Sequence, residues 1–269
     1  MKKILLFIIA LLPMMADAFT GEAAINGINY YIITKGQTAK VIKKKGGYVG
    51  NIVIPSTIKY EGVICEVTEI GNISFLNCSR LTSITIPTTV TRIGGAAFNG
   101  CVNLTSIIIP DNVKEIGSGA FANCSRLRKI KLSKGLSILN SSIFENCVSL
   151  TSIVIPDGVK HIDMFAFYGC KNLKKISIPE SIERIDCGAF RRCGDLTEVY
   201  CHAVNPPEIG LSVVCYNRRI LSPFSGSYIE YITLYVPNES ISEYQSSHYW
   251  EKMNFKEIKA ISNINPKLK

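Results

Sequence analysis

Six cysteines recur every 23 residues along the middle of the chain. Each follows a phenylalanine by three positions and precedes a leucine by three. The cysteines are Cys78, Cys101, Cys124, Cys147, Cys170 and Cys193, and the phenylalanines are Phe75, Phe98, Phe121, Phe144, Phe167 and Phe190. A fixed period of this length predicts a solenoid, because one module cannot bury its apolar face alone whereas a stack of modules can.

An apolar–polar–apolar triplet follows each leucine and predicts a short strand in every coil. Ile84 and Ile86 are expected to point inwards, with Ser83 and Thr85 on the opposite face, since this alternation has the two-residue period of a strand. Equivalent strands of successive coils are expected to pair in parallel, about 4.8 Å apart. Four of the first five strands close with a proline, which ends backbone pairing: Pro87, Pro110, Pro156 and Pro179.

One further column predicts a tight corner. It holds glycine in the early coils and Asn or Asp in the later ones, and all three residue types tolerate positive φ. Its members are Gly71, Gly94, Gly117, Asn140, Asp163 and Asp186.

The repeat resembles that of the BspA-like class of bacterial leucine-rich repeat proteins. The segments LTSITIPTTVTRIGGAAFNGC (81–101) and LTSIVIPDGVKHIDMFAFYGC (150–170) are similar to that family's module, and the resemblance covers roughly residues 49–237. It implies a β-rich, right-handed solenoid of the leucine-rich-repeat type. The parallel strand ladder, about eight coils and a cap at each end are predicted from the repeat and its flanking segments in this chain. The resemblance also implies a secreted or surface-exposed protein, and for some members adhesion to host matrix proteins or other cells.

The chain divides into four predicted regions. Residues 1–18 have the basic start, apolar run and small residues of a secretory signal peptide, with cleavage after Ala18. Residues 19–48 are expected to form an N-terminal capping hairpin, and residues 49–201 the solenoid, with an extra hairpin or loop around 59–66. Residues 202–269 are interpreted as a degenerate last coil and C-terminal cap, in which segment 202–228 has lost the Phe and Cys columns.

The net charge of +9 invites a nucleic-acid interpretation, which export makes improbable. The positive charge then favours anionic surfaces, glycans or acidic proteins as partners. No stretch after the signal peptide approaches 18 consecutive apolar residues, so no transmembrane segment is predicted. The expected location is the cell envelope or beyond it: periplasm, outer surface or extracellular.

The six-cysteine column is interpreted as buried free thiols, because every coil offers the same residue and pairing would have to choose partners arbitrarily. Cys65, Cys187 and Cys215 lie outside that column, and a disulfide among them stays open. Three scattered histidines and the absence of clustered ligand spacings indicate no catalytic triad, metal site or cofactor.

The outward strand face is the candidate ligand site. One basic band contains Arg128, Lys129 and Lys131, and a second, two coils on, contains Lys174 and Lys175. Apolar and aromatic residues lie beside them: Ile108, Val154 and Tyr200. We expect a non-catalytic module that binds a protein or glycan on another cell or matrix, at the envelope or surface.

Two other interpretations stay open. One is a periplasmic or envelope structural component without an extracellular ligand, and the other is a charged face that only keeps the stack soluble. The coil beginning at Leu127 departs most from the repeat, with Ser133, Asn140 and Ile143 in place of Pro, Gly and Ala. The oligomeric state is not specified by these patterns.

Overall fold

The computed structural model describes residues 19–210 and 222–261, so the predicted signal peptide and Cys215 lie outside the described residues. Short strands dominate, and one short helix, α1, spans Ile241–Ser246. Single 3-10 turns cover Ile229–Tyr231, Asn238–Ser240 and Glu251–Met253. The strands are β1 (Thr20–Ile25), β2 (Ile28–Ile33), β3 (Thr38–Val41), β4 (Gly50–Val53), β5 (Thr57–Tyr60), β6 (Val63–Ile70), β7 (Leu81–Thr85), β8 (Arg92–Ile93), β9 (Ser106–Ile108), β10 (Glu115–Ile116), β11 (Lys129–Lys131), β12 (Ile138–Leu139), β13 (Ser152–Val154), β14 (His161–Ile162), β15 (Lys175–Ile178), β16 (Arg184–Asp186), β17 (Glu198–Cys201), β18 (Glu208–Gly210), β19 (Thr233–Val236) and β20 (Glu257–Ala260).

Each coil contributes one strand to a first parallel ladder and a shorter strand to a second. The first ladder is paired in three segments: β4–β7, β9–β11, and β13–β15–β17–β19–β20. The second runs β6–β8–β10 and then β12–β14–β16–β18. This architecture is a β-rich leucine-rich-repeat solenoid, although the first ladder is interrupted twice where the sequence predicts continuous pairing.

The phenylalanine column forms a stack of buried rings through the core. Centroids of successive rings lie 5.0 to 5.8 Å apart from Phe75 to Phe190. The stack continues onto Phe224, whose ring centroid is 5.1 Å from that of Phe190. The prediction that segment 202–228 has lost this column is therefore wrong, because Phe224 reaches the same position after a longer connection.

The prediction of buried free thiols is confirmed for the six-cysteine column. Five of these cysteines donate their S–H to the carbonyl of the preceding coil's phenylalanine, at 3.1 to 3.2 Å. Ser227 takes over this role after the last of them, since its hydroxyl donates to the Phe190 carbonyl at 2.7 Å. The Cys column is thus extended by a serine, which the sequence interpretation also missed. Cys65 is a buried free thiol, and Cys187 is buried.

The glycine column serves close packing and not a left-handed turn. Gly94 does not adopt positive φ, and a Cβ built there would lie 2.5 Å from the backbone nitrogen of Asn72 in the preceding coil. The prediction of positive φ in this column is therefore wrong. The left-handed positions fall two and six residues later in each coil: Ile73, Ala96, Gly119, Ser142, Phe165 and Gly188, then Asn77, Gly100, Asn123, Asn146, Gly169 and Arg192.

The N-terminal end is covered by three antiparallel strands in place of the two-stranded hairpin expected for residues 19–48. β1 pairs with β2 and β2 with β3, and β3 then pairs in parallel with β6 to join the cap to the second ladder. β5 and β6 form an antiparallel hairpin in the region of the predicted insertion. The ring of Tyr48 lies 4.5 Å from that of Phe75 and covers the first ring of the stack.

The C-terminal end is covered by α1, the turn around Trp250 and strand β20. β20 pairs in parallel with β19 and adds a last strand to the first ladder. Tyr244 donates to the Ala203 carbonyl at 2.9 Å, and the Trp250 indole donates to the Pro207 carbonyl at 2.9 Å. Both aromatic side chains are buried and bonded, so they anchor the cap onto the last repeats.

Candidate ligand-binding face

The outward side chains of the first ladder form two columns, which together we call the strand face. Strand register within each paired segment, and the 23-residue spacing across the two interruptions, align the first column as Asn51, Ser83, Ser106, Lys129, Ser152, Lys175, Glu198, Thr233 and Glu257, of which Thr233 is buried. The same criteria align the second column as Val53, Thr85, Ile108, Lys131, Val154, Ser177, Tyr200, Tyr235 and Lys259. Three β-branched apolar residues of this column are exposed, with relative exposures of 67% for Val53, 67% for Ile108 and 62% for Val154.

The first basic band lies on the coil that holds β11. Arg128, Lys129 and Lys131 are all exposed. The Lys131 ammonium is 3.8 Å from a carboxylate oxygen of Asp111 in the preceding coil, and both side chains are about half exposed. In the described part of the chain, no carboxylate forms an ion pair with Arg128 or Lys129. This band therefore keeps most of its positive charge available to solvent.

The second basic band presents less uncompensated positive charge than the first. Lys174 is exposed, but Lys175 is half-buried and lies in register with Glu198 of the next coil. The Tyr200 hydroxyl donates to Glu198 at 2.7 Å, and the Tyr200 ring stacks on Tyr235 at 4.6 Å. Burial and the adjacent Glu198 carboxylate raise the pKa of Tyr200. Glu198 thus places negative charge at this end of the strand face.

A groove of about 970 Å³ lies between β11 and β13, at the second interruption of the first ladder. Its β11 side carries basic side chains, and its β13 side carries mainly small polar and apolar ones. The lining includes Arg128, Lys129, Ile130, Lys131, Lys134 and Val154.

Polar substitutions in the coil of β11 tie it to the coil before it. The Ser133 hydroxyl donates to the Val113 carbonyl at 2.6 Å and accepts from the Gly135 amide at 3.0 Å. The Asn140 side-chain amide donates to the Ile116 carbonyl at 2.7 Å, across the gap between β10 and β12. These residues replace the repeat's proline and glycine, and their bonds fix the coil to its predecessor on the side away from the groove.

The structure brings four of the eight predicted site residues together and separates the other four. Arg128, Lys129, Lys131 and Val154 line the groove. Ile108 is in register with Lys131 one coil earlier, and the other three lie beyond β13: Lys174, Lys175 and Tyr200. Sequence reasoning missed Ile130 as a groove residue because its position in the repeat is an inward one. Whether any of these residues binds a ligand stays a prediction.

The outward column of the second ladder shows the opposite electrostatics. Arg92 pairs with Glu69 at 2.6 Å and with Glu115 at 3.3 Å, one coil to either side. Arg184 is 3.8 Å from Glu208 of the next coil and pairs with Asp186 at 2.6 Å. Charges on this face are therefore compensated between neighbouring coils.

Within residues 19–210 and 222–261, no group of three His, Cys, Asp or Glu side chains is placed to hold a metal ion.

Comparison with protein families matches the chain to the model for the BspA type leucine-rich repeat region, in six copies over residues 51–170 and 91–217. The matched residues make up more than half of the chain, and the protein belongs to this family. Leucine-rich repeats of this kind are typically non-catalytic modules that bind proteins, and BspA-type members are often cell-surface proteins. A comparison with curated proteins gave no significant match.

Solved structures support the same fold. A leucine-rich repeat protein from T. pallidum is 29% identical, with a TM-score of 0.61, over 72% of this chain and 89% of that one. A leucine-rich repeat protein from Eubacterium ventriosum ATCC 27560 is 24% identical, with a TM-score of 0.60, over 78% of this chain and 50% of that one. Among the described residues, no helix has both the length and the apolar character needed to cross a bilayer.

Proposed function

We propose that this protein is an exported, non-catalytic binding module that uses its strand face to hold a protein or glycan ligand at the cell envelope or surface. The supporting observation is the contrast between the two ladders. The second ladder pairs its outward charges at Arg92 and Arg184, whereas Lys129 in β11 and the adjacent Arg128 have no such partners among the described residues. On the strand face itself, Lys259 pairs with Glu257 only at the C-terminal end of the ladder. Uncompensated cations raise the local concentration of anionic partners and give their binding a salt dependence.

The remaining predicted residues extend this surface along the solenoid. Ile108 and Val154 supply exposed apolar contact on either side of Lys131, and Lys174 and Lys175 supply a second, weaker cationic band. Tyr200 adds an aromatic face at the far end. A rigid solenoid can present these groups at fixed spacings, which favours multivalent contact with one extended partner.

The test of binding reverses charge on the strand face and, in a matched variant, elsewhere. The first variant carries Lys129→Glu, Lys131→Glu and Lys175→Glu. The control carries Lys35→Glu, Lys59→Glu and Lys114→Glu, three exposed lysines away from the strand face. Binding to heparin and to a detergent extract of bacterial and host cell surfaces is measured over a range of salt. Loss in the first variant alone is expected, and equal binding by both variants would sink the strand-face proposal.

The proposed location has a separate test. Intact cells that produce the full chain are treated with an external protease, and the released peptides are sequenced. Release of peptides from residues 49–201 is the expected result for surface exposure. Full protection on intact cells, with digestion after the outer layer is opened, would favour the periplasmic structural component instead.

A further inference from the structure

The two strands that border the groove each have an edge without a strand partner. β11 pairs with β9 and β13 pairs with β15, but β11 and β13, although consecutive in the ladder, are not paired with each other. Cα atoms of β11 and β13 still approach within 8 Å of each other, which is less than the roughly 9.6 Å that a strand inserted between them would need. A ligand therefore lies over the groove and meets its side chains.

The floor and one rim of the groove are apolar. Ile130 is half-buried, whereas the equivalent inward residues Ile107 and Ile153 have relative exposures of 3% and 5%. Val154 stands 62% exposed on the opposite rim. The first interruption of the ladder, between β7 and β9, shows no such opening of the core, since Ile84 and Ile107 on its two sides are both buried. Exposure of Ile130 thus marks the second interruption as a place where an apolar side chain can be received.

The charge on the groove is strongly one-sided. Four cationic side chains line it, Arg128, Lys129, Lys131 and Lys134, against the single carboxylate of Asp157. Lys131 is already 3.8 Å from Asp111, which shows that a carboxylate can approach this rim. Acidic side chains on a ligand would meet compensating charge here without displacing a short internal ion pair.

We propose that the groove between β11 and β13 receives an extended, acidic peptide segment of a partner protein. Alternate side chains of an extended peptide point to opposite sides, so apolar ones can enter towards Ile130 and Val154 while acidic ones meet the lysines. A sulfated glycan would use the cations but has no side chain for the apolar floor. This inference rests on the proposed function of the strand face and narrows it to one site and one class of ligand.

The experiment measures binding of labelled hexapeptides to the full chain by fluorescence anisotropy. The probe alternates Asp and Val, and the comparison peptides alternate Lys and Val or contain only Asp. Heparin oligosaccharide is a separate probe. Two matched pairs of variants separate the groove from surface outside the strand face. Val154→Asp is compared with Ile64→Asp in β6, because both side chains have a relative exposure of 62%. Lys129→Glu with Lys131→Glu is compared with Lys35→Glu with Lys114→Glu, two exposed lysines away from the strand face.

The Asp/Val peptide is expected to bind, and binding should weaken at least about tenfold in the groove variants while the matched variants stay within about twofold. Unchanged melting temperatures show that the variants are folded. No binding of the Asp/Val peptide, or equal weakening in matched and groove variants, would overturn the inference. Groove-dependent binding of heparin without the peptide would replace it with a glycan site. The extract assay of the lysine-reversal variants reports on the strand face independently of these results.

Discussion

Two sides of the solenoid differ in how much their residues vary from coil to coil. The Phe–Cys wall, made of the stacked phenylalanines from Phe75 to Phe224 and the cysteines beside them, has nearly the same residues in every coil. The strand face changes from serine to lysine to valine to tyrosine over the same coils. Constancy on the wall follows from contacts that each coil makes with the next, and variation on the strand face is possible because its side chains point to solvent.

The comparison is tested most strongly by removing one ring from the wall. Phe121 is fully buried and stacks against Phe98 at 5.3 Å and Phe144 at 5.8 Å. Phe121→Ala is expected to lower the free energy of unfolding by about 3–5 kcal/mol, since the cavity opens between two neighbouring coils. Val154→Ala, on the exposed face, should change it by less than about 0.5 kcal/mol. Urea unfolding measures both, and similar values for the two would contradict the distinction.

Rising pH should act on the wall before the strand face, because unfolded thiols ionise near pH 9 whereas the Tyr200 phenol, whose pKa is also raised by folding, ionises near pH 10 in the unfolded chain. Burial raises the pKa of the Cys124 and Cys193 thiols from 9.0 to about 12. The folded chain then holds these protons where the unfolded chain releases them, so stability is complete below pH 9 and falls as pH rises from 9 towards 12. The expected loss at pH 10 is on the order of 1 kcal/mol for each thiol, because this pH lies one unit above the pKa of the unfolded thiol and well below that of the folded one.

Denaturation at a series of pH values measures this effect, with Cys124→Ser as the variant in which the decline is shallower. In the Cys124→Ser variant, the free energy of unfolding should depend less on pH below pH 8 than in the alkaline range. A flat profile between pH 8 and 10 in the unaltered protein would show that the thiols are not buried as described.

The hydrogen bond of the cysteine column should matter independently of its volume. The Cys147 thiol donates to the Phe121 carbonyl at 3.1 Å. Cys147→Ala removes one of the two donors to that carbonyl, the other being the Cys124 amide at 3.3 Å, and should cost about 0.5–1.5 kcal/mol. Cys147→Ser keeps a donor, as Ser227 does at the end of the column, and should cost less. Thermal unfolding of Cys147→Ala and Cys147→Ser measures the contribution of this hydrogen bond. Equal stability of the two variants would contradict it.

The smallest expected effect is a gain in stability on replacing one alanine by glycine. Ala96 adopts φ +51°, a left-handed conformation that costs an L-residue about 1–2 kcal/mol. Ala96→Gly should remove this strain, and after the larger entropy of glycine in the unfolded chain is subtracted, stability should rise by about 0.5–1 kcal/mol. The neighbouring Ala97, buried and without positive φ, gives the matched control, because Ala97→Gly should destabilise.

The parts of the fold that repeat were predictable from the sequence. The buried cysteines, the ring stack and the strand positions follow from columns whose spacing is constant. Equivalent positions in different coils therefore have the same predicted environment. Phe224 was missed because it lies 34 residues after Phe190 instead of 23, as the numbering shows. The signal that could have found it is the serine at Ser227, which keeps the spacing of three residues from phenylalanine to hydrogen-bond donor.

The candidate site was predictable only in part. The basic bands are visible in the sequence because their positions point outwards in a strand of known register. The groove depends on the loss of pairing between two adjacent strands, and that loss follows from small displacements of backbone which no residue type dictates. Ser133 and Asn140 marked the coil as unusual, yet their bonds to Val113 and Ile116 appear only in three dimensions. The glycine column was misread because steric approach from the neighbouring coil requires the same residue as positive φ does.

The ring stack and its thiol-to-carbonyl bonds have a consequence for how such a gene can change. Because each coil offers its neighbour the same phenylalanine and the same donor, recombination between repeats can delete or duplicate a whole coil while both caps keep their contacts. Every such event would bring two different outward strands side by side. The order of coils can therefore change while the packing between neighbouring coils stays the same. The groove between β11 and β13 is one of the strand juxtapositions that such rearrangements can produce.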